Sequence, residues 1–223
     1  IGVVAAMTLP MLAENYQKII IQTRLKKFYT TFNQAILRSV NDNGPFDGWL
    51  YNNPNVYDGD GNLVNQTANN SSVFNLYLRP YLNVIQTQQV MYTNDYDSIL
   101  YYLADGSAFM YTYADNRDIY YYPKDPVRCL KNTAKSRRGV CEFVFIFVPN
   151  YSKVTLPYSY QYWTYHIDKG LEPHKFSWDG KVESLYTTTD YGCNLEHDGV
   201  YCAALIQYNN WEFPADYPRK IRY

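Results

Sequence analysis

The chain begins IGVVAAMTLPML, a run in which only Thr8 is polar and nothing is charged, and it leads without a break into a helical pattern. From Leu12 onward, Leu12, Tyr16, Ile19, Ile20, Leu25, Phe28, Phe32, Ile36 and Val40 recur at three- and four-residue steps, with Lys18, Arg24, Lys26, Lys27 and Arg38 falling largely between them. This predicts one helix from Ile1 to about Val40, ended by Asp42, Asn43, Gly44 and Pro45. At 1.5 Å per residue it would reach about 60 Å, too long for a compact domain of this size. Only the amphipathic second half can dock on a body. The uniformly apolar first half must project.

That first half is shorter than the roughly 20 apolar residues that cross a bilayer, and it lacks the basic start and small-residue cleavage site of a signal peptide. The simplest completion places about eight or more further apolar residues before Ile1. A helix buried within a single domain is the competing reading. Pro10 counts against it, because a mid-helix proline removes a backbone donor and bends the helix.

After Pro45 helical periodicity mostly stops. SILYYLADGSAFMYTY, residues 98–113, reads as two strands around an Asp105-Gly106 turn. Further strands are expected at Ile119 to Tyr122, Glu142 to Val148, Tyr160 to Ile167 and Tyr201 to Tyr208, and Ser72 to Ile85 reads as a short helix broken near Pro80. Tyrosine numbers 26 and phenylalanine 10, which suits strands carrying amphipathic rings on their outer faces. No repeat or Pro/Gly/Ser-rich linker divides this part. The reading is therefore an α+β chain: a helix over 1–41 and one β-rich head of antiparallel strands over 42–223.

The formal net charge of -1 excludes a binder driven by bulk electrostatics, so no specific nucleic-acid partner is expected. Cys129, Cys141, Cys193 and Cys202 form two close pairs. Three pairings are possible; short separations favour the sequential one, in an oxidising compartment outside the cytosol. Four free thiols in a cytosolic protein are the alternative. Neither pair has CxxC spacing, and His166, His174 and His197 follow no ligand interval, which disfavours zinc.

Asp58, Asp60 and Asn62 invite a calcium reading. Their loop lacks the glycine that an EF-hand loop needs and reads better as a turn. The loop from Cys129 to Cys141 carries Arg128, Lys131, Lys135, Arg137 and Arg138 beside it or within it, enough charge to attract a phosphate-rich polymer or an acidic neighbouring subunit. With no aromatic side chains between those charges, a solvated loop is the simpler reading. Trp163, Trp178 and Trp211 suggest sugar stacking, but packing is the plainer role. The sequons at Asn65, Asn70 and Asn150 matter only in a chain that meets a glycosylating secretory pathway, and they carry no weight here. GxSxG, HExxH and phosphate-cradling loops are absent from the sequence, so neither an enzyme nor a cofactor is expected.

The stretch IGVVAAMTLPMLAENYQKIIIQTRLKKFYTTFNQAILRS resembles the later part of the N-terminal helix of type IV pilins and of the pseudopilins of type II secretion systems. GVVAAMTLP, Pro10 and the following amphipathic segment carry the likeness. Residues 199–218, GVYCAALIQYNNWEFPADYP, are similar to that group's closing segment, and LADGSAFMY to its central hairpin. RCLKNTAKSRRGVC departs from it, standing where a short polar loop is expected. The resemblance implies a type IV pilin-like fold and a subunit held first in the bacterial inner membrane, then extruded by assembly machinery into a cell-surface filament of identical subunits. Ile1, Val3, Val4, Met7, Leu9 and Leu12 would carry assembly, with Pro10 shaping the helix. As in the pseudopilins that bind calcium in a C-terminal loop, Asp190, Asn194, Glu196 and Asp198 would be a second calcium candidate. A membrane-tethered extracytoplasmic binding module, adhesin-like and recognising carbohydrate or a protein partner, is the rival, and a minor pseudopilin lies between them.

Overall fold

The computed structural model describes residues 2–49, 73–93, 96–112, 118–148 and 160–221. Helix α1 spans Gly2–Asn43. It stops where Gly44 takes a left-handed conformation (φ 80°), which glycine adopts without steric cost. Among its described side chains the buried ones are Ile21, Leu25, Phe28, Phe32, Ala35, Ile36 and Ser39, which recur at three- and four-residue steps along one face, with Ala35 and Ile36 adjacent. The docked stripe therefore starts at Ile21, nine residues later than the pattern from Leu12 suggested, as Leu12, Tyr16 and Ile19 are 64%, 63% and 55% exposed.

Against this stripe lies a six-stranded antiparallel sheet in the order β1-β2-β3-β4-β5-β6. The strands are β1 (Val84–Thr93), β2 (Tyr96–Leu103), β3 (Ala108–Thr112), β4 (Asp118–Tyr122), β5 (Phe143–Ile146) and β6 (Glu172–Pro173). Side chains alternate along a strand, so Tyr101, Phe109, Tyr121, Phe143 and Phe145 share the core with α1. Leu100, Met110, Tyr120, Tyr122 and Val144 form a second core with Cys129 and Cys141. Here the expectation of rings on a solvated outer face needs correction. Tyr120 and Tyr122 are 7% and 0% exposed because the Cys129–Cys141 loop covers them.

The Asp105-Gly106 hairpin and the strands within 119–122 and 142–148 form as expected, β5 being shorter than the apolar run. The segment before β1 is a π-helical turn, Phe74–Leu78, followed by a 3₁₀ turn, Arg79–Tyr81, that holds Pro80. Two expected strands are not strands. Residues 160–167 form a 3₁₀ turn, Tyr160–Tyr162, and further turns, while most of 201–208 forms helix α5, Cys202–Tyr208. Its fully apolar start, CAALI, lacks the period that separates a buried strand from a buried helix.

Polar clamps fix α1 to the head at two places along the docked stripe. Arg24 donates to the carbonyls of Pro123 and Asp105, and Lys27 Nζ lies 2.9 Å from the Asp105 carboxylate in the β2–β3 turn. Asn33 donates to Leu171 O (3.0 Å) and accepts from Leu171 N (2.8 Å). Gly170 makes this approach possible, since a Cβ there would stand 1.9 Å from Asn33 Oδ1.

Burial acts to raise the Asp105 pKa, but hydrogen bonds from the Ser107 hydroxyl, Lys27 and the Ser107 N–H outweigh it and leave the carboxyl below its ordinary value. A depressed folded-state pKa contributes stability that is present above the unfolded value, about 4, and is lost as pH falls through the folded one. Asp105→Asn is therefore expected to flatten the loss of stability below about pH 4, read from urea midpoints across an acid series. Unchanged slopes would show that the carboxylate contributes nothing to the clamp.

Candidate functional site

The assembly residues read from the sequence fall on the leading part of α1. Val3, Val4, Met7, Leu9 and Pro10 lie within the helix, their side chains outside the described residues; Ile1 lies outside them altogether. Leu12 is the first with a described side chain. None of residues 12–20 is buried. Leu12, Tyr16 and Ile19, at steps of four and three, form one stripe, and Ile19 stands about 200° around the helix from Ile21. The stripe thus faces away from the head. Further along that line come Thr23, Lys26 and Thr30, all exposed and polar. Apolar exposure on this line is concentrated ahead of the docked segment, with Leu37 recurring alone near the other end. Glu14 and Lys18 pair at 3.2 Å beside the stripe.

Tyr16 and Ile19 lie in the exposed segment ahead of the docked stripe, although periodicity alone put them with the docked half. Sequence spacing gives the period of a stripe but not which copy of it meets the body.

A second concentration of chemistry lies where two disulfides tie down four short helices. Cys129 in α2 (Pro126–Leu130) bonds Cys141, just beyond α3 (Ala134–Arg137), and Cys193, after α4 (Val182–Thr187), bonds Cys202 at the start of α5. This is the sequential pairing. The basic loop is only partly solvated. Arg137 Nε meets Glu142 Oε2 at 2.6 Å, Arg138 Nε lies 3.4 Å from Glu142 Oε1, and Arg138 Nη1 donates to Asp198 at 3.0 Å. Tyr122 donates to the same Glu142 at 2.6 Å, and the Arg137 guanidinium sits 4.8 Å from the centre of the Tyr92 ring.

Burial pulls the Arg137 pKa down, but Glu142, Tyr92 and Tyr122 together more than offset this and the guanidinium ends above its ordinary value. The loop's solvated-face reading thus holds for Arg128, Lys131 and Lys135 but fails for Arg137, which is 5% exposed. Its partner, Glu142, lies past the loop's end.

Arg219 is the residue no sequence pattern marked. It is 3% exposed and donates to the carbonyls of Lys135 (2.6 Å), Arg138 (2.9 Å), His197 (2.7 Å) and Asn194, stitching the two disulfide loops together. Gly199 clears its path, as a Cβ there would stand 2.6 Å from the guanidinium carbon. Burial lowers its pKa, and the surrounding charges do not restore it.

A profile described as a family of unknown function, DUF6613, matches residues 11–221, nearly the whole chain. The chain belongs to that family. No curated protein and no solved structure matches it.

In this DUF6613 chain, no helix of the described residues is long and apolar enough to cross a membrane. Of the second calcium candidate, Asn194 Oδ1 accepts from the N–H groups of Glu196 and His197, both at 2.8 Å, while Asp198 is held by Arg138. Among the described residues no three or more His, Cys, Asp or Glu side chains are grouped to hold a metal ion. Asp58, Asp60, Asn62 and the sequons Asn65, Asn70 and Asn150 lie outside the described residues. Trp163 is buried against His166 and Phe176, Trp178 donates to Lys181 O at 2.8 Å, and Trp211 packs on Tyr29 at 4.9 Å between ring centres. These are packing contacts.

Proposed function

We propose that this DUF6613 chain is a pilin-like structural subunit of an extracellular helical filament, polymerising through the leading part of α1. One observation carries the reading: a single 42-residue helix is docked from Ile21 onward and, ahead of that point, presents an apolar stripe to solvent. An unsupported apolar helix face is costly in water and gains by packing against another apolar surface. The occupant that fits is the same segment of further copies, because helix against helix in a repeated, non-closing arrangement buries every copy and grows without end. An apolar start, a proline within the leading part of the helix and an antiparallel sheet packed on the second half of the helix support the type IV pilin-like fold. The two disulfides support an extracytoplasmic location, reached from an inner-membrane precursor.

Electron microscopy of sheared surface material from cells producing the chain tests this. Regular filaments labelled by an antibody to the head are expected. A membrane-bound monomer with no filament would favour the tethered binding module instead.

A further inference from the structure

Between the two disulfide loops lies an open cavity of about 510 Å³, whose lining includes Lys135, Lys220, Arg219, Ser136, Val140 and Leu195. That volume is in the range of small-molecule sites, commonly about 300–1,000 Å³. Its charge is one-sided. Three basic side chains line it and, among the described residues, no acidic one does.

Arg219 makes this more than a basic surface. Buried charges are ordinarily matched by an opposite charge, because desolvation is otherwise too costly. Arg137 and Arg138 follow that rule through Glu142 and Asp198. Arg219 is as deeply buried as Arg137, yet it meets backbone carbonyls alone and forms no ion pair with a described residue. Asp198 attracts it from a distance while bonded to Arg138, and Arg219 Nε has no acceptor among the described residues. A guanidinium with unmatched charge in the wall of a cavity that also holds two exposed lysines creates a field that an anion would complete.

We propose that this cavity binds a small organic molecule bearing an oxyanion, phosphate or carboxylate, with Lys135, Lys220 and Arg219 supplying the positive charge and Val140 and Leu195 an apolar wall. Lys135 already donates to Glu196 O at 2.5 Å, so it is held at the rim and its two remaining N–H groups are open to a ligand. The Ser136 hydroxyl offers a further polar contact at the mouth. The inference does not depend on whether the chain polymerises.

The test titrates the chain, both disulfides formed, with glucose 6-phosphate and with galacturonate, following binding by calorimetry or amide chemical shifts. Glucose and sodium chloride of matched ionic strength are the controls. At least one of the two anions is expected to bind saturably, to be displaced by inorganic phosphate, and to lose about tenfold or more in affinity in Lys135→Gln/Lys220→Gln. Lys220→Gln alone serves as a milder variant should the pair disturb folding, with thermal unfolding as the check. Arg219 is left intact, because its removal would strand four carbonyls and loosen both loops. No saturable binding of either anion, equal binding of glucose, an effect reproduced by chloride, or an affinity unmoved by either variant would overturn the site.

Discussion

Aspartate at both Val4 and Leu9 is expected to abolish filament formation while leaving the head folded. In the proposed filament these positions lie among the leading helices of neighbouring copies, where an unpaired carboxylate costs several kcal/mol or must take up a proton. Two such groups per subunit, repeated at every addition step, raise the concentration needed for growth by orders of magnitude, since each 1.4 kcal/mol or so is tenfold. The head is insulated from the change. Among the described side chains the first that α1 buries is Ile21, twelve residues past Leu9, and the clamps at Arg24, Lys27 and Asn33 lie further on. The variant should therefore unfold at the parental temperature and form both disulfides, yet yield no polymer in sheared fractions. Leu12→Asp/Ile19→Asp tests the same claim on side chains that are 64% and 55% exposed. Intact filaments from either pair would refute polymerisation through this segment, whereas loss of the folded head would show that the overhang helps to hold it.

What could be read from the sequence follows the physics of each signal. A helical period running from Leu12 to Val40 into a Gly-Pro stop is unambiguous, and α1 ends within a few residues of its expected limit. The Asp105-Gly106 turn and the aromatic run at β5 are equally local signals, decided by neighbours a few positions away. Residues 201–208 fail for the opposite reason: once fully buried, CAALI suits either state, and the Cys193–Cys202 bond with the surrounding core decides. The onset of docking at Ile21 depends on where the sheet meets the helix, which no pattern within α1 encodes. The Arg219 stitch joins carbonyls from Lys135 to His197, all of them chemically anonymous in a sequence. The Cys129–Cys141 loop looked solvated because its acidic partners, Glu142 and Asp198, lie beyond its end.

Phe28→Ala is expected to destabilise the head by about 3–5 kcal/mol, the range for emptying a buried aromatic site. Phe28 is 2% exposed and stacks on Tyr121 with ring centres 4.1 Å apart. It also meets Phe32, Phe109 and Phe145 at 5.5, 5.6 and 5.4 Å, so one helix side chain touches β3, β4 and β5 at once. The surrounding rings cannot collapse inward cheaply, because Tyr121 is anchored by its hydroxyl to Arg24 O (3.2 Å) and Phe109 is packed against Phe74 and Tyr101. Phe28→Leu, which keeps much of the volume and loses the ring contacts, should cost clearly less. Urea unfolding followed by tyrosine and tryptophan fluorescence measures both. If the alanine variant lost under about 1 kcal/mol, helix docking would not depend on this cluster. A loss in the expected range places the hold of the head on α1 at the middle of the docked stripe, well behind the apolar segment that the proposed filament uses.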